Sequence, residues 1–167
     1  MKLYSYVGPA HLAKLIADHP SGAPVGSPED VLNWIQSTQQ ETASGEVIAT
    51  YVVDESGVLL IADRRSEHVA CAGGRRVQSA GEITFTVRSP IEVVGVSNQS
   101  TGYCPEPDSW PAVAAALSCV HLNAPAGFAL SCAFRRCRDC GNITLVKDDV
   151  YECGVCGAEL PTVYNVQ

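Results

Sequence analysis

The sequence predicts an α+β fold, mainly antiparallel β with short flanking helices, closed by a small cysteine-pinned unit at its C-terminal end. Three observations predict it. The 167 residues are 46% hydrophobic and 17% charged, with 14 glycines and 10 prolines, the profile of a folded chain with many turns. Several stretches alternate apolar and polar side chains with a period of two, as half-buried strands do. Of the eight cysteines, four fall in two Cys-x-x-Cys pairs near the end of the chain.

Taken in order, residues 2–7 read as a strand, and Pro9 opens a first helix carrying Leu12, Leu15 and Ile16. A turn-rich linker over 19–26 leads to a second helix. There Ser27 is the expected N-cap, Pro28 the first helical residue, and Glu29 and Asp30 the acidic first turn, with Val31, Leu32 and Ile35 as the apolar stripe and Trp34 alongside. From Glu46 the period changes to two. Val47, Ala49, Tyr51 and Val53 alternate with Ile48, Thr50 and Val52, and the turn at 54–57 returns the chain as a hairpin over 58–62. Residues 82–88 alternate most cleanly, with Ile83, Phe85 and Val87 on one face, and Ser89-Pro90 turns them into a strand over 91–96.

After an irregular stretch, 97–108, Trp110, Val113, Leu117 and Val120 recur at helical spacing. Phe128, Leu130, Cys132 and Phe134 are expected to line one face of a last strand that runs into Cys137. No composition break separates the two, so the chain is divided into a β-rich domain with helices, 1–134, and a docked C-terminal unit, 135–167.

That unit has the pattern Cys137-Arg138-Asp139-Cys140-Gly141, then Cys153-Gly154-Val155-Cys156-Gly157. Two residues between cysteines let both thiolates face one ion from a tight turn, and the following glycine supplies the left-handed conformation such a turn needs. Residues 143–147 and 150–152, flanking Asp148-Asp149, are expected to form the hairpin that brings the second knuckle beside the first. One structural zinc is the expected cofactor, held by Cys137, Cys140, Cys153 and Cys156; an all-cysteine set leaves no open position for substrate. Two redox pairs, or an iron in the same four-cysteine site, share the spacing. Residues 135–160 resemble the zinc-ribbon and rubredoxin-like modules, a likeness that implies a local fold and no particular function.

No stretch approaches the roughly 18 apolar residues a membrane span needs, and the first residues lack an apolar run of signal-peptide length, so a cytoplasmic protein without membrane contact is expected. Net charge is −7 with the acidic residues spread along the chain, which argues against nucleic acid as a partner. Arg135, Arg136 and Arg138 are the nearest approach to a basic footprint, among acidic neighbours, and a nucleic-acid-reading ribbon is carried as an alternative on their account.

The segments 67–74 and 97–107 combine titratable and hydroxyl side chains with glycines. His68, Glu82, Ser100 and Tyr103 are the candidate catalytic or ligand-binding residues, His68 and Glu82 as acid and base with Ser100 or Tyr103 orienting substrate. The structural alternative is that Glu82 pairs with Arg75, Arg76 or Arg88, His68 bonds a backbone carbonyl, and Tyr103 is a core ring with a satisfied hydroxyl. His68, Gly74, Val77, Gly81, Glu82, Ser100, Tyr103 and Pro105, followed by a helix, resemble a pattern in a domain of plant IQ-motif calmodulin-binding proteins and in bacterial toxin-like domains, a likeness spanning 67–120. The chain departs from it with Val69-Ala70-Cys71 in place of Ser-Ser-Phe and with Gly102 in place of a second histidine, and it has no IQ motif; no activity follows from the likeness. Cys71 is accordingly a poor nucleophile, Cys119 and Cys132 read as buried small hydrophobes, and Cys104 as a free thiol. The expected function is a zinc-stabilised binding module that recognises a protein or a small polar ligand through these loops, with a small enzyme as the alternative.

Overall fold

The computed structural model describes residues 1–16, 22–39 and 45–167. The first part of the expected linker, 19–21, and the side chain of Leu15 lie outside the described residues.

A five-stranded antiparallel sheet has the order β1-β3-β2-β4-β5, from β1 (Ala23–Val25), β2 (Glu46–Asp54), β3 (Leu59–Asp63), β4 (Val77–Thr86) and β5 (Glu92–Val96). Both faces of the central strand β2 are buried. Val47, Ala49, Tyr51 and Val53 pack with Leu59, Ile61, Ile83 and Phe85 beneath α2 (Pro28–Ser37) and α4 (Trp110–Cys119), which contribute Val31, Trp34, Val113 and Leu117. On the opposite face Val52, Leu60, Val77 and Ala80 pack with Tyr4, Val69 and Tyr103, alongside α1 (Ala10–Ile16) and the single turn α3 (His68–Cys71). The sheet is thus the middle layer of three, so its central strands are apolar on both sides and alternate less visibly than 82–88 does.

The expected strand over 2–7 reduces to a single bridge, Tyr4 with Val77, because the chain leaves the sheet there to seat the Tyr6 ring edge-on against Tyr103. At α2, the Ser27 side chain makes no cap bond to the helix. Instead the Asp30 carboxylate reaches back to accept from the Gly26 N–H, one residue before the cap, at 2.8 Å and from the Ser27 hydroxyl at 3.3 Å. Cys119, expected to be buried, is exposed: it lies two residues, about 200°, around α4 from Leu117, which faces the core. Cys132 is buried as expected.

The last strand is shorter than its alternation suggested. It is β6 (Ala133–Arg136); Phe128 stands outside it, edge-on to Trp110 with ring centroids 5.0 Å apart, and Leu130 is exposed. β6 pairs with β7 (Ile143–Val146), Ala133 opposite Val146, so the first knuckle is the tip of this hairpin. Of the hairpin expected between 143–147 and 150–152, one bridge, Lys147 with Val150, is formed.

Several bonds join this C-terminal portion to the rest. The Asn98 amide donates to the carbonyls of Pro105 and Cys132, each at 2.8 Å, and accepts from the Cys132 N–H at 2.6 Å. The Arg135 guanidinium donates to Glu106 at 2.7 Å, and the Gln167 amide donates to the Leu3 carbonyl.

Candidate metal centre and polar hollow

The two knuckles repeat one local geometry. In the first, the Cys137 N–H donates to Asn142 and the Gly141 N–H returns to Cys137; in the second, the Cys153 N–H donates to Ala158 and the Gly157 N–H returns to Cys153. Gly141 and Gly157 sit at φ of +75° and +72°, where a Cβ would be strained, so each Cys-x-x-Cys-Gly closes for the reason its glycine suggests. A further bridge, Glu152 with Glu159, closes the neck of the second loop.

These turns bring all four sulfurs within 4.8 Å of one another. Cys137 Sγ lies 3.6 Å from Cys156 Sγ, and Cys140 Sγ 3.6 Å from Cys153 Sγ, so each close pair crosses from one knuckle to the other. Tetrahedral ligation at a metal–sulfur length of about 2.3 Å separates sulfurs by about 3.8 Å, and the donor set fits a metal ion on that measure. Cys137 and Cys153 are buried while Cys140 and Cys156 face solvent. The backbone N–H groups of Cys156 and Val155 hold the Cys153 thiol down to about 6, making it the readiest thiolate. The Cys156 thiol, although the Ala158 N–H pulls the other way, is pushed up to about 12 by the sulfurs of Cys137 and Cys140 beside it. Sulfurs this close resist successive ionisation, and a cation among them relieves the repulsion. Among the described residues, Leu160 is the one other buried side chain in a core cluster with the two buried cysteines, and Val146, Tyr151 and Ala158 pack half-buried against it. One buried leucine contributes about 2 kcal/mol, far below the roughly 10–16 kcal/mol of a bound structural zinc, so a metal would dominate the folding of this portion.

Of the four candidate residues in the β-rich part, His68 and Glu82 share a polar surface hollow of about 440 Å³, together with Arg64, Arg65, Gln99 and Thr101. Glu82 pairs with Arg64 at 3.0 Å, a partner the sequence reading did not include. His68 Nε2 lies 3.1 Å from the Gly81 carbonyl, which can only accept, so that nitrogen carries the proton and Nδ1 keeps its lone pair. Burial lowers the His68 pKa against the pull of that carbonyl and of Glu67 and Glu82, so the imidazole is neutral at pH 7.

Ser100 and Tyr103 are buried and do not line this hollow. The Ser100 hydroxyl accepts from the Tyr103 N–H at 3.3 Å, and the Tyr103 hydroxyl donates to the Arg75 carbonyl at 2.7 Å. Two glycines fix how closely this region packs. A Cβ at Gly81 would collide with the Ser97 carbonyl, and one at Gly102 would lie 2.8 Å from the Tyr6 ring, so a histidine at 102 has no room here. Burial pushes the thiols of Cys71 and Cys104 up to about 12, so neither is a ready nucleophile.

The three arginines near the first knuckle form no common exposed face. Arg135 is turned inward to Glu106 and Thr162, Arg136 is half-buried and donates to Val166, and Arg138 is exposed.

Fold and site together define an antiparallel α+β protein with a C-terminal four-cysteine cluster able to hold a metal ion, and no described helix is long and apolar enough to cross a membrane. No protein-family model matches the chain, and no curated protein or solved structure is significantly similar to it. The likeness of 67–120 to the plant and bacterial pattern therefore rests on the residues quoted for it.

Proposed function

We propose that this protein is a zinc-stabilised binding module of the cytoplasm. Cys137, Cys140, Cys153 and Cys156 hold one structural zinc, residues 135–167 are a ribbon that the zinc folds onto the body, 1–134, and the hollow around His68 recognises a small polar ligand or a protein segment. The observation that carries the reading is the all-thiol donor set converging within 4.8 Å. Such a set, once filled, leaves no position for water or substrate, so the metal supplies architecture and recognition falls to the protein's own polar groups. The side chains of Arg65, Gln99 and Thr101 in the hollow make no side-chain hydrogen bond among the described residues, which supports recognition there.

Metal analysis of the purified, reduced protein tests the first part. One zinc per chain is expected, and Cys140→Ser should lower the metal content and promote aggregation as Phe134 and Leu145 lose their cover; a soluble variant retaining full zinc contradicts it. For the hollow, quantitative pull-downs comparing wild type with His68→Ala/Glu82→Ala should show partners lost by the double variant. Equal recovery removes the hollow from the reading.

A second reading is favoured by one observation: His68 and Glu82 line the same hollow, with His68 neutral and its Nδ1 making no hydrogen bond among the described residues. Acid–base chemistry would then rest on that pair, with Ser100 and Tyr103 holding the neighbouring loop in place to orient substrate. A pH–rate profile that loses one limb in His68→Ala supports it.

A further inference from the structure

The two knuckles match in backbone geometry but not in what surrounds their sulfurs. Cys153 Sγ accepts from two backbone N–H groups, those of Cys156 and Val155, whereas Cys140 and Cys156 each take a single one, from Asn142 and Ala158. Cys153 has a further neighbour from outside both knuckles, the Thr144 hydroxyl, whose Oγ1 lies 3.7 Å from its sulfur. We propose that Thr144 is a positioning residue of the metal centre, its hydroxyl donating to the Cys153 thiolate and fixing that sulfur as the most firmly held of the four ligands. The inference rests on the reading of the cysteine cluster as a metal site given above.

The period of β7 aims the side chain. Ile143 and Leu145 pack on one face, against Cys132, Phe134 and Val166, so Thr144 and Val146 project from the other. Val146 packs against the cluster of Cys137, Cys153 and Leu160, and Thr144 is turned toward the same sulfurs. An apolar β-branched residue suits that face, as Val146 shows two positions on. The hydroxyl is what threonine adds, and among the described residues Cys153 is its one hydrogen-bond partner.

Chemistry fixes the direction of the bond. A thiol and a hydroxyl can each donate to the other, but a thiolate that ligates a metal has no hydrogen left, so the Thr144 hydroxyl must donate. Four thiolates around a divalent ion also leave an excess of negative charge, which dipoles pointed at the sulfurs offset. The backbone supplies such dipoles to both knuckles, and Thr144 supplies the one hydroxyl dipole among the described residues. A rival role for the same side chain is packing: its Cγ2 lies 4.0 Å from where a Cβ would stand at Gly154, so its methyl group borders the second knuckle. Hydroxyl and methyl must therefore be separated by experiment.

The test is a cobalt(II) titration of the reduced, full-length protein, in competition with a chelator, on wild type, Thr144→Val and Thr144→Ser. Valine keeps the shape and loses the hydroxyl; serine keeps the hydroxyl and loses the methyl. Thr144→Val should bind cobalt about tenfold more weakly, as the loss of an outer-shell partner does. Its thiolate-to-cobalt absorption should also move to longer wavelength, because a thiolate that loses a donor gives up its electron more readily. Thr144→Ser should match wild type in both. Should Thr144→Val fail to fold, Thr144→Ser against Thr144→Ala makes the same comparison, since those two differ by the hydroxyl alone, and equal affinity and absorption overturn the proposal. A Thr144→Val protein that binds and absorbs as wild type does also overturns it, and so does a Thr144→Ser protein as weak as Thr144→Val, which would assign the effect to the methyl group. Wild type that takes up no cobalt would overturn the metal-site reading itself.

Discussion

Asn98 shows how much one buried amide can hold. It is fully buried, and its three hydrogen bonds tie the loop that follows β5 to the carbonyl and N–H of Cys132, just before β6. Asn98→Ala would leave two buried carbonyls and one N–H unpaired, at a cost of about 3 kcal/mol, which for a chain of this size lowers Tm by roughly 6–12 °C. Asn98→Asp, although nearly isosteric, should also destabilise, since it turns a donor toward two carbonyls into an acceptor; thermal unfolding of both variants checks this. Nothing in the sequence marks Asn98 out, because its partners are 7 and 34 residues away. The four-cysteine cluster was legible for the opposite reason: spacing and the following glycine are local, and local chemistry alone closes each knuckle. Ser100 and Tyr103 fall between these cases. Their types are conspicuous, but which way each side chain points depends on Arg75 and on the turn at 100–104, contacts that periodicity does not encode.

Among the elements, the β2–β3 hairpin depends on its turn. Asp54 Oδ1 accepts from the N–H groups of Ser56 and Val58, each at 2.9 Å, and from the Ser56 hydroxyl at 2.6 Å. Desolvation pushes its pKa upward, but these bonds and the Arg75 charge outweigh it and the net direction is down. With the folded pKa below the unfolded value of about 3.9, the stabilisation is complete above that pH and lost as pH falls through the folded pKa. Urea midpoints of wild type and Asp54→Asn should therefore differ at pH 7, by the equivalent of about 1–2 kcal/mol, and the difference should shrink as the pH falls below about 3.9. The difference between the two proteins cancels any acid-driven loss of metal, which is common to both. Elements with such local signals, α2, α4, β2 and the hairpin itself, were foreseeable. β1 was not: it is three residues long, contains Pro24, and exists because β3 offers an edge to pair with. The start of β4 was also hidden, since Gly81 is there to admit the Ser97 carbonyl and Ser79 to bond the hydroxyls of Tyr51 and Ser109 rather than to alternate with apolar neighbours.

At the scale of the whole molecule, two ion pairs that look alike in sequence are unlike in consequence. Arg64–Glu82 is 56% and 39% exposed, whereas Arg135–Glu106 is 7% and 16% exposed and joins the four-cysteine portion to the body. A pair open to solvent contributes about 0–1 kcal/mol, so Glu82→Gln should leave stability nearly unchanged. Removing one partner of a buried pair strands the other. Glu106→Gln would leave the Arg135 guanidinium enclosed among the Thr162 and Phe134 carbonyls with no counter-charge, at a cost of about 2–4 kcal/mol, discounted slightly for the residual exposure of Glu106. The two variants should also part on metal retention. Cys137 follows Arg135 by two residues, so loosening β6 loosens the first knuckle. Chelator challenge should release metal faster from Glu106→Gln than from wild type, with Glu82→Gln indistinguishable from wild type. Equal release from all three would mean that the four-cysteine portion holds its ion without help from the body, and that the bonds across 98, 106 and 135 position it without stabilising it.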